Sequence, residues 1–255
     1  MGLLIELVFR LVFEIPLLRT IALTIVPALL LLRYVRSKDR LEPEPPKLIW
    51  SLVGLGGLSI IPAVLLELGG SAVLTRGADT ESIAFRVIYW FVVVGLSEEL
   101  CKYVMLRLRT WKSPEYNCLF DGMVYAVAVS AGFALVENVI YLIRYGASVV
   151  FIRAIVSIPA HICFSVFMGV WYSAAKKYQL QGDTAKMRRS RILAVALPAL
   201  THGLFDLIAD SADVGLGLVI FGAYVIAMFI VSWRLIKKLA ERDEYIRSQG
   251  MIPGA

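Results

Sequence analysis

The sequence predicts an all-α, polytopic membrane helix bundle of about seven transmembrane helices. Three observations predict it. The 255 residues are 59% hydrophobic with a mean hydropathy of +0.75, more apolar than a soluble domain of that length. Several apolar runs reach the roughly 20 residues that span a bilayer. Lys and Arg, which give a net charge of +6, collect in alternate loops between those runs, as on the cytoplasmic side of membrane proteins. The basic balance therefore reads as membrane topology and not as nucleic-acid binding. Three cysteines, Cys101, Cys118 and Cys163, are odd in number and lack metal-ligand spacing. They give neither a disulfide framework nor a thiolate zinc site.

Taken in order, residues 3–18 carry Glu6, Arg10 and Glu14 at four-residue spacing, a charged face on an apolar helix. The segment reads as an interfacial amphipathic helix or an early extension of the first span. Its charges interrupt the apolar run too often for a signal peptide. Residues 1–15 are thus an N-terminal amphipathic or membrane-insertion segment, 16–238 the transmembrane domain and 239–255 a cytoplasmic tail. The first span is 16–35. A connector rich in proline, Leu41-Glu-Pro-Glu-Pro-Pro46, forbids regular helix. The second span is 48–68, followed by a polar loop with Arg76 and Asp79. The third, 84–107, contains Ser97-Glu98-Glu99-Leu100-Cys101-Lys102. The fourth, 121–144, starts at Asp121, a candidate N-cap. The fifth is 150–174. A hydrophilic stretch from Lys176 to Arg191 leads to the sixth, 192–209, and the seventh is 214–235. Pro62 and Pro159 read as packing features, with Pro159 placed to kink the helix just before His161. The loops after spans one, three, five and seven hold 19 of the 26 Lys and Arg residues. That bias puts the C-terminus in the cytoplasm and the N-terminus outside.

Charge inside a membrane helix is costly and needs partners. Glu98 and Glu99 stand four and three residues before Lys102, so either can pair with it. Neighbouring residues on a helix diverge by about 100°, which predicts that the two glutamates do not point at one spot. The only two histidines, His161 and His202, fall near mid-depth in the fifth and sixth spans. Asp206 stands one turn after His202, where it can orient the imidazole. Glu137 and Asn138 lie on the fourth span, after the small residues Ser130, Ala131, Gly132 and Ala134 that permit close helix approach. Carboxylates with two histidines can activate water and stabilise an oxyanion. Glu98, His161 and His202 also form a set able to hold zinc. The same residue types would serve a proton-coupled transporter, a non-catalytic binding or immunity protein, or a purely structural polar network. No nucleophile elbow and no His-Glu-x-x-His is present.

The order Glu98-Glu99-x-x-Lys102, Asp121-Gly-x-Val-Tyr125, Gly132-Phe-Ala-x-x-Glu137-Asn138, Arg153-Ala, Pro159-Ala-His161 and His202-Gly-x-x-Asp206 resembles the PrsW family of intramembrane proteases. The connector Asp39-Arg-x-Glu-Pro-Glu-Pro45 is similar as well, and the resemblance runs from about residue 20 to 238. The wider superfamily includes the CAAX prenyl proteases. Its Glu-Glu-x-x-x-Arg, Phe-x-x-x-His and His-x-x-x-Asn motifs are replaced here by patterns ending in Lys102, Glu137 and Asp206, which match the PrsW branch. The resemblance implies an intramembrane endopeptidase in a prokaryotic cell membrane. Its substrate would be a membrane-anchored protein, such as an anti-sigma-factor-like regulator. It implies Glu98, Glu99, His161 and His202 as the catalytic residues, with Glu98 as the base that activates water. Lys102 and Glu99 would hold that base, Asp206 would orient His202, and Glu137 and Asn138 would complete the pocket. It leaves open a zinc-dependent version and a metal-free one.

Overall fold

The computed structural model describes residues 16–77, 79–212 and 215–246, side chains from residue 20 onward; the expected N-terminal segment 1–15 lies outside the described residues. Among the described residues the chain is helical except for connectors and one isolated bridge between Cys118 and Tyr245. The helices are α1 (Pro16–Arg36), α2 (Pro46–Leu58), α3 (Ile60–Leu74), α4 (Ile83–Ile88), a π-helical segment (Tyr89–Leu96), α5 (Ser97–Thr110), α6 (Asp121–Tyr145), α7 (Ala147–Ile155), α8 (Ser157–Leu180), α9 (Thr184–Ser211) and α10 (Leu216–Glu241). Five stretches among the described residues are long and apolar enough to cross a membrane: Pro46–Leu74, Asp121–Tyr145, Ala147–Leu180, Thr184–Ser211 and Leu216–Glu241. With α1 and the run from α4 through α5 they make up the polytopic helical bundle expected.

Two of the crossings are broken, and proline accounts for both. Pro62 has no N–H for the Leu58 carbonyl and its ring crowds that turn, so α2 ends and α3 starts at Ser59. Pro159 does the same to Ile155, and the chain bends at Val156. These prolines are therefore more than packing features. The second span also runs farther than expected, to Leu74. Gly70 lies in the helix against the Val93 side chain, so the Gly-containing segment is packed and not a loop. The hydrophilic stretch 176–191 is likewise mostly helix. Gly182 takes a positive φ of 77°, and the Asp183 carboxylate caps α9 by accepting from the Lys186 N–H at 2.9 Å. Asp121 is not the expected cap. Helix α6 begins at Asp121 itself, and its carboxylate turns back to accept from the N–H groups of Asn117 and Cys118 at 2.9 and 2.6 Å.

Helix α6 is the centre. Every one of its residues from Asp121 to Ala134 is buried, and α2, α8, α5 and α1 surround it. Lipid offers no hydrophobic drive between helices, so close packing must hold them. Small residues allow it. A Cβ on Gly56 would collide with the Val129 carbonyl, and one on Gly132 with the Val53 carbonyl. The α2–α6 pair thus meets backbone to backbone. All three cysteines are buried free thiols.

The basic ends of the helices meet on one face. There Lys176 Nζ donates to the Trp111 carbonyl at 2.9 Å, Lys177 pairs with Glu244 at 2.6 Å, and the Ile246 N–H donates to the Asn117 carbonyl at 2.7 Å. At the opposite face Arg86 and the Trp90 indole N–H both hold Asp210, at 2.8 and 3.1 Å.

Candidate functional site

The site starts from an irregularity. The segment just before the two glutamates, Tyr89–Leu96, is π-helical, a form that often marks functional positions in helices. It lies directly against α9. A Cβ on Gly95 would come within 2.9 Å of the Ala199 carbonyl oxygen, and one on Gly203 within 2.7 Å of the Phe91 Cα. That close approach sets Glu98 and Glu99 beside His202, the residue preceding Gly203.

Lys102 Nζ is the hub. It donates to Glu98 Oε2 at 3.1 Å, Glu99 Oε1 at 2.8 Å and His161 Nδ1 at 3.1 Å, over the Phe133 ring at 3.9 Å from its centroid. Both glutamates therefore converge on one ammonium, contrary to the divergence expected from helix geometry. Their side chains are long enough to undo an angle of about 100° at the backbone. An ammonium offers donors only, so His161 Nδ1 accepts, and its Nε2–H donates to Glu137 Oε2 at 2.8 Å. The neighbouring residue Asn138 completes nothing in the cavity. Its Oδ1 accepts from Arg153 Nε at 2.9 Å, while Arg153 also pairs with Glu137 at 2.6 Å. His202 mirrors His161. Its Nδ1 faces Glu99 Oε1 at 3.0 Å and Glu98 Oε2 at 3.9 Å, and its Nε2 faces Asp206 Oδ2 at 3.2 Å. Phe164 stacks on the His202 ring at 4.6 Å, and the two imidazoles stand edge to face at 5.2 Å.

The structure thus brings together Glu98, Glu99, Lys102, His161 and His202, with Glu137 and Asp206 each on the far ring nitrogen of a histidine. The site opens onto a cavity of about 820 Å3 that Glu98, Glu137, His161, His202 and Asp206 border and that Glu99, Lys102 and Asn138 do not. Glu98 therefore faces the space where a reactant can sit, and Glu99, with no exposure, backs it. Arg153 stood in the motif order without a role and is the ion-pair partner of Glu137, whereas Phe164 as the platform under His202 had no readable signal in the sequence. Glu67 of α3 also lines the cavity. It stands at what the sequence presents as the end of a span, where a charge is unremarkable.

The donors suit a metal. Glu98, Glu99, His161 and His202 each offer one ligand atom, all within 4.8 Å of one another and all buried. Both histidines aim Nδ1 inward while a carboxylate holds Nε2 from outside, the arrangement that fixes and strengthens metal-ligating imidazoles. An oxygen and nitrogen set of this kind suits zinc. Lys102 supplies the positive charge at that point, and its bond to His161 Nδ1 is the contact an ion would replace.

Fold and site define a class: a polytopic membrane protein with a buried glutamate–histidine centre at the head of an intramembrane cavity. The model of the PrsW family of intramembrane metalloproteases matches residues 44–234. Protease PrsW of Clostridioides difficile is 30% identical over 228 residues, 88% of this chain and 92% of that protein. Protease PrsW of Oceanobacillus iheyensis is 32% identical over 184 residues, 72% and 80% of the two chains. That of Geobacillus kaustophilus is 28% identical over 232 residues, 90% and 94%. No solved structure matches the chain significantly. The chain belongs to the PrsW family of intramembrane metalloproteases.

Proposed function

We propose that this protein is an intramembrane endopeptidase that hydrolyses a peptide bond of a membrane-anchored protein, with Glu98 as the carboxylate that takes the proton from water. The observation that carries the reading is the paired inward imidazoles beside a glutamate that borders a large cavity. Glu98 receives the proton of the attacking water and returns it to the leaving amine. Lys102 and Glu99 hold Glu98 in place. His161 and His202, steadied by Glu137 and Asp206, stand beside the reacting centre, where the proton-free Nδ1 of His161 can accept from and polarise the attacking water. In the metal-dependent form, His161, His202 and Glu99 would hold zinc, in place of the set of Glu98, His161 and His202 read from the sequence, because Glu98 and not Glu99 borders the cavity and is left there as the base. The ion would polarise the carbonyl and acidify a bound water. The arginine- and lysine-rich face lies in the cytoplasm of a prokaryotic cell membrane on this reading, with the C-terminus there. A regulator of the anti-sigma-factor kind is the substrate class that fits such a protease. The transmembrane domain is residues 16–238, flanked by the N-terminal segment and a short tail.

The test compares membrane-protein fragments in cells carrying wild-type or Glu98→Gln protein. Fragments that accumulate only with the wild type are expected, with at least a hundredfold loss in the variant. Equal fragment patterns, with both proteins present in the membrane, would sink the reading. Zinc content of the purified protein, and loss of cleavage with chelator restored by zinc, separates the metal-dependent form from the metal-free one.

A further inference from the structure

The cavity holds one carboxyl that the proposed chemistry does not use. Helix α3 turns Ile60, Val64, Glu67, Leu68 and Ser71 toward it, a single face at helical spacing. Glu98 has Lys102, Glu137 has Arg153, and Asp206 has His202. Among the described residues Glu67 makes no hydrogen bond and no ion pair, and the charged groups around it are Glu98 and Glu137 together with His202 and Lys102, none of them in direct contact with it. An ionisable group inside a membrane without a partner marks a functional position, because the cost of placing it there is otherwise uncompensated.

The cavity is open beside it. Leu68 borders the cavity and is 63% exposed, and Ile140 of α6 borders it and is 40% exposed. The opening thus faces the lipid between α3 and α6, and Glu67 stands one residue from its rim. The charged wall is acidic on balance, since Glu67, Glu98, Glu137 and Asp206 outnumber Arg144 and Arg153. Arg153 is already committed to Glu137 and Asn138.

We propose that Glu67 is a specificity-determining residue that receives a basic side chain of a membrane-spanning segment entering between α3 and α6. The inference rests on the protease reading only in calling that segment a substrate. A lysine within a membrane helix and a lone glutamate in a cavity each carry an unmet desolvation cost, and pairing offsets both. Lipid alone supplies no such partner in the hydrocarbon region.

The probe is a set of fluorescent single-pass Leu/Ala peptides, each with one Lys, Gln, Leu or Glu in its outer half. Binding is measured to full-length Glu98→Gln protein in nanodiscs, so that no peptide is cut. The Lys peptide is expected to bind about tenfold tighter than the Leu peptide. Adding Glu67→Gln should remove that preference, and adding Glu67→Lys should transfer it to the Glu peptide. A Lys preference that survives both substitutions overturns the proposal, as does the absence of any preference in the parent protein. Cleavage of the same peptides by the wild type reads out separately. Peptides bound with the expected preference but left uncut support the role of Glu67 and remove the protease reading.

Discussion

Glu137 and Asp206 hold the outward nitrogens of two different histidines, so each acts on the centre through an imidazole. Such partners fix ring orientation and tautomer. Glu137→Gln and Asp206→Asn are expected to lower kcat about 10- to 100-fold with little change in KM. Both should weaken zinc binding by a similar factor if the ion is held there. Losing Glu137 leaves Arg153 without its charged partner, so Glu137→Gln should also destabilise the protein more than Asp206→Asn does. A thermal melt in detergent, run beside the cleavage assay, checks the order. A matching loss for Glu98→Gln but none for these two would remove them from the site.

At the scale of elements, the α9–π contact sets how the carboxylates meet His202. Gly95 and Gly203 leave no room for a Cβ without moving backbone atoms. Gly203→Ala is expected to push α9 away by a few tenths of an ångström or more. It should cut activity by at least tenfold, since reacting groups tolerate little displacement, while the helical signal by circular dichroism stays. Unchanged activity would mean that the contact is incidental.

Much of this scale was legible beforehand. Apolar length and Lys/Arg bias are strong signals for membrane helices, and the motif residues named the histidines and glutamates that meet. The convergence of Glu98 and Glu99 was not legible, because it depends on side-chain torsions and a π segment that leaves no mark in an apolar run such as Tyr89–Leu96. The breaks at Ser59 and Val156 each fall three residues before a proline, yet Pro27 and Pro198 lie inside unbroken helices, so the sequence marks where a break can fall and packing decides which occur. Glu67 escaped because a boundary placed at residue 68 made an intramembrane charge look like an interfacial one.

For the molecule as a whole, the basic face contains a buried acidic knot. Asp39 and Glu44 of the connector are 5% and 4% exposed. The Glu44 N–H donates to Asp39 Oδ2 at 3.3 Å, and the Tyr125 hydroxyl donates to Glu44 Oε1 at 2.7 Å. Glu44 Oε2 and Asp121 Oδ1 are both buried without a hydrogen-bond partner. Burial pushes Asp39 up from 3.8 to about 6, with the carboxylate of Asp243 adding to the rise. Burial pushes Glu44 up from 4.5 to about 7, with Asp39 adding to it. Folding therefore retains protons on these groups that the unfolded chain has released. Their contribution to stability is full below about pH 4 and falls as pH rises to about 7. Melting temperature in detergent is expected to drop by about 5 °C between pH 5 and pH 8 on this account. Glu44→Gln keeps an acceptor for Tyr125 and should flatten the drop. An equally steep profile in that variant would assign the pH dependence elsewhere.

The π segment has a further bearing on how the gene can change. A π turn takes up more residues than an α turn, so the stretch before Ser97 carries chain length that a regular helix would not need. Were the same eight residues to close into ordinary turns, everything after them would be rotated by about 100°. Glu98 would then turn away from the cavity, although every residue of the motif would still be present. The stretch is held by its contacts as well, Gly95 against α9 and Trp90 on Asp210, so both its side chains and its winding are constrained. A further one-residue insertion in this stretch should therefore abolish cleavage while every residue of the motif stays in place.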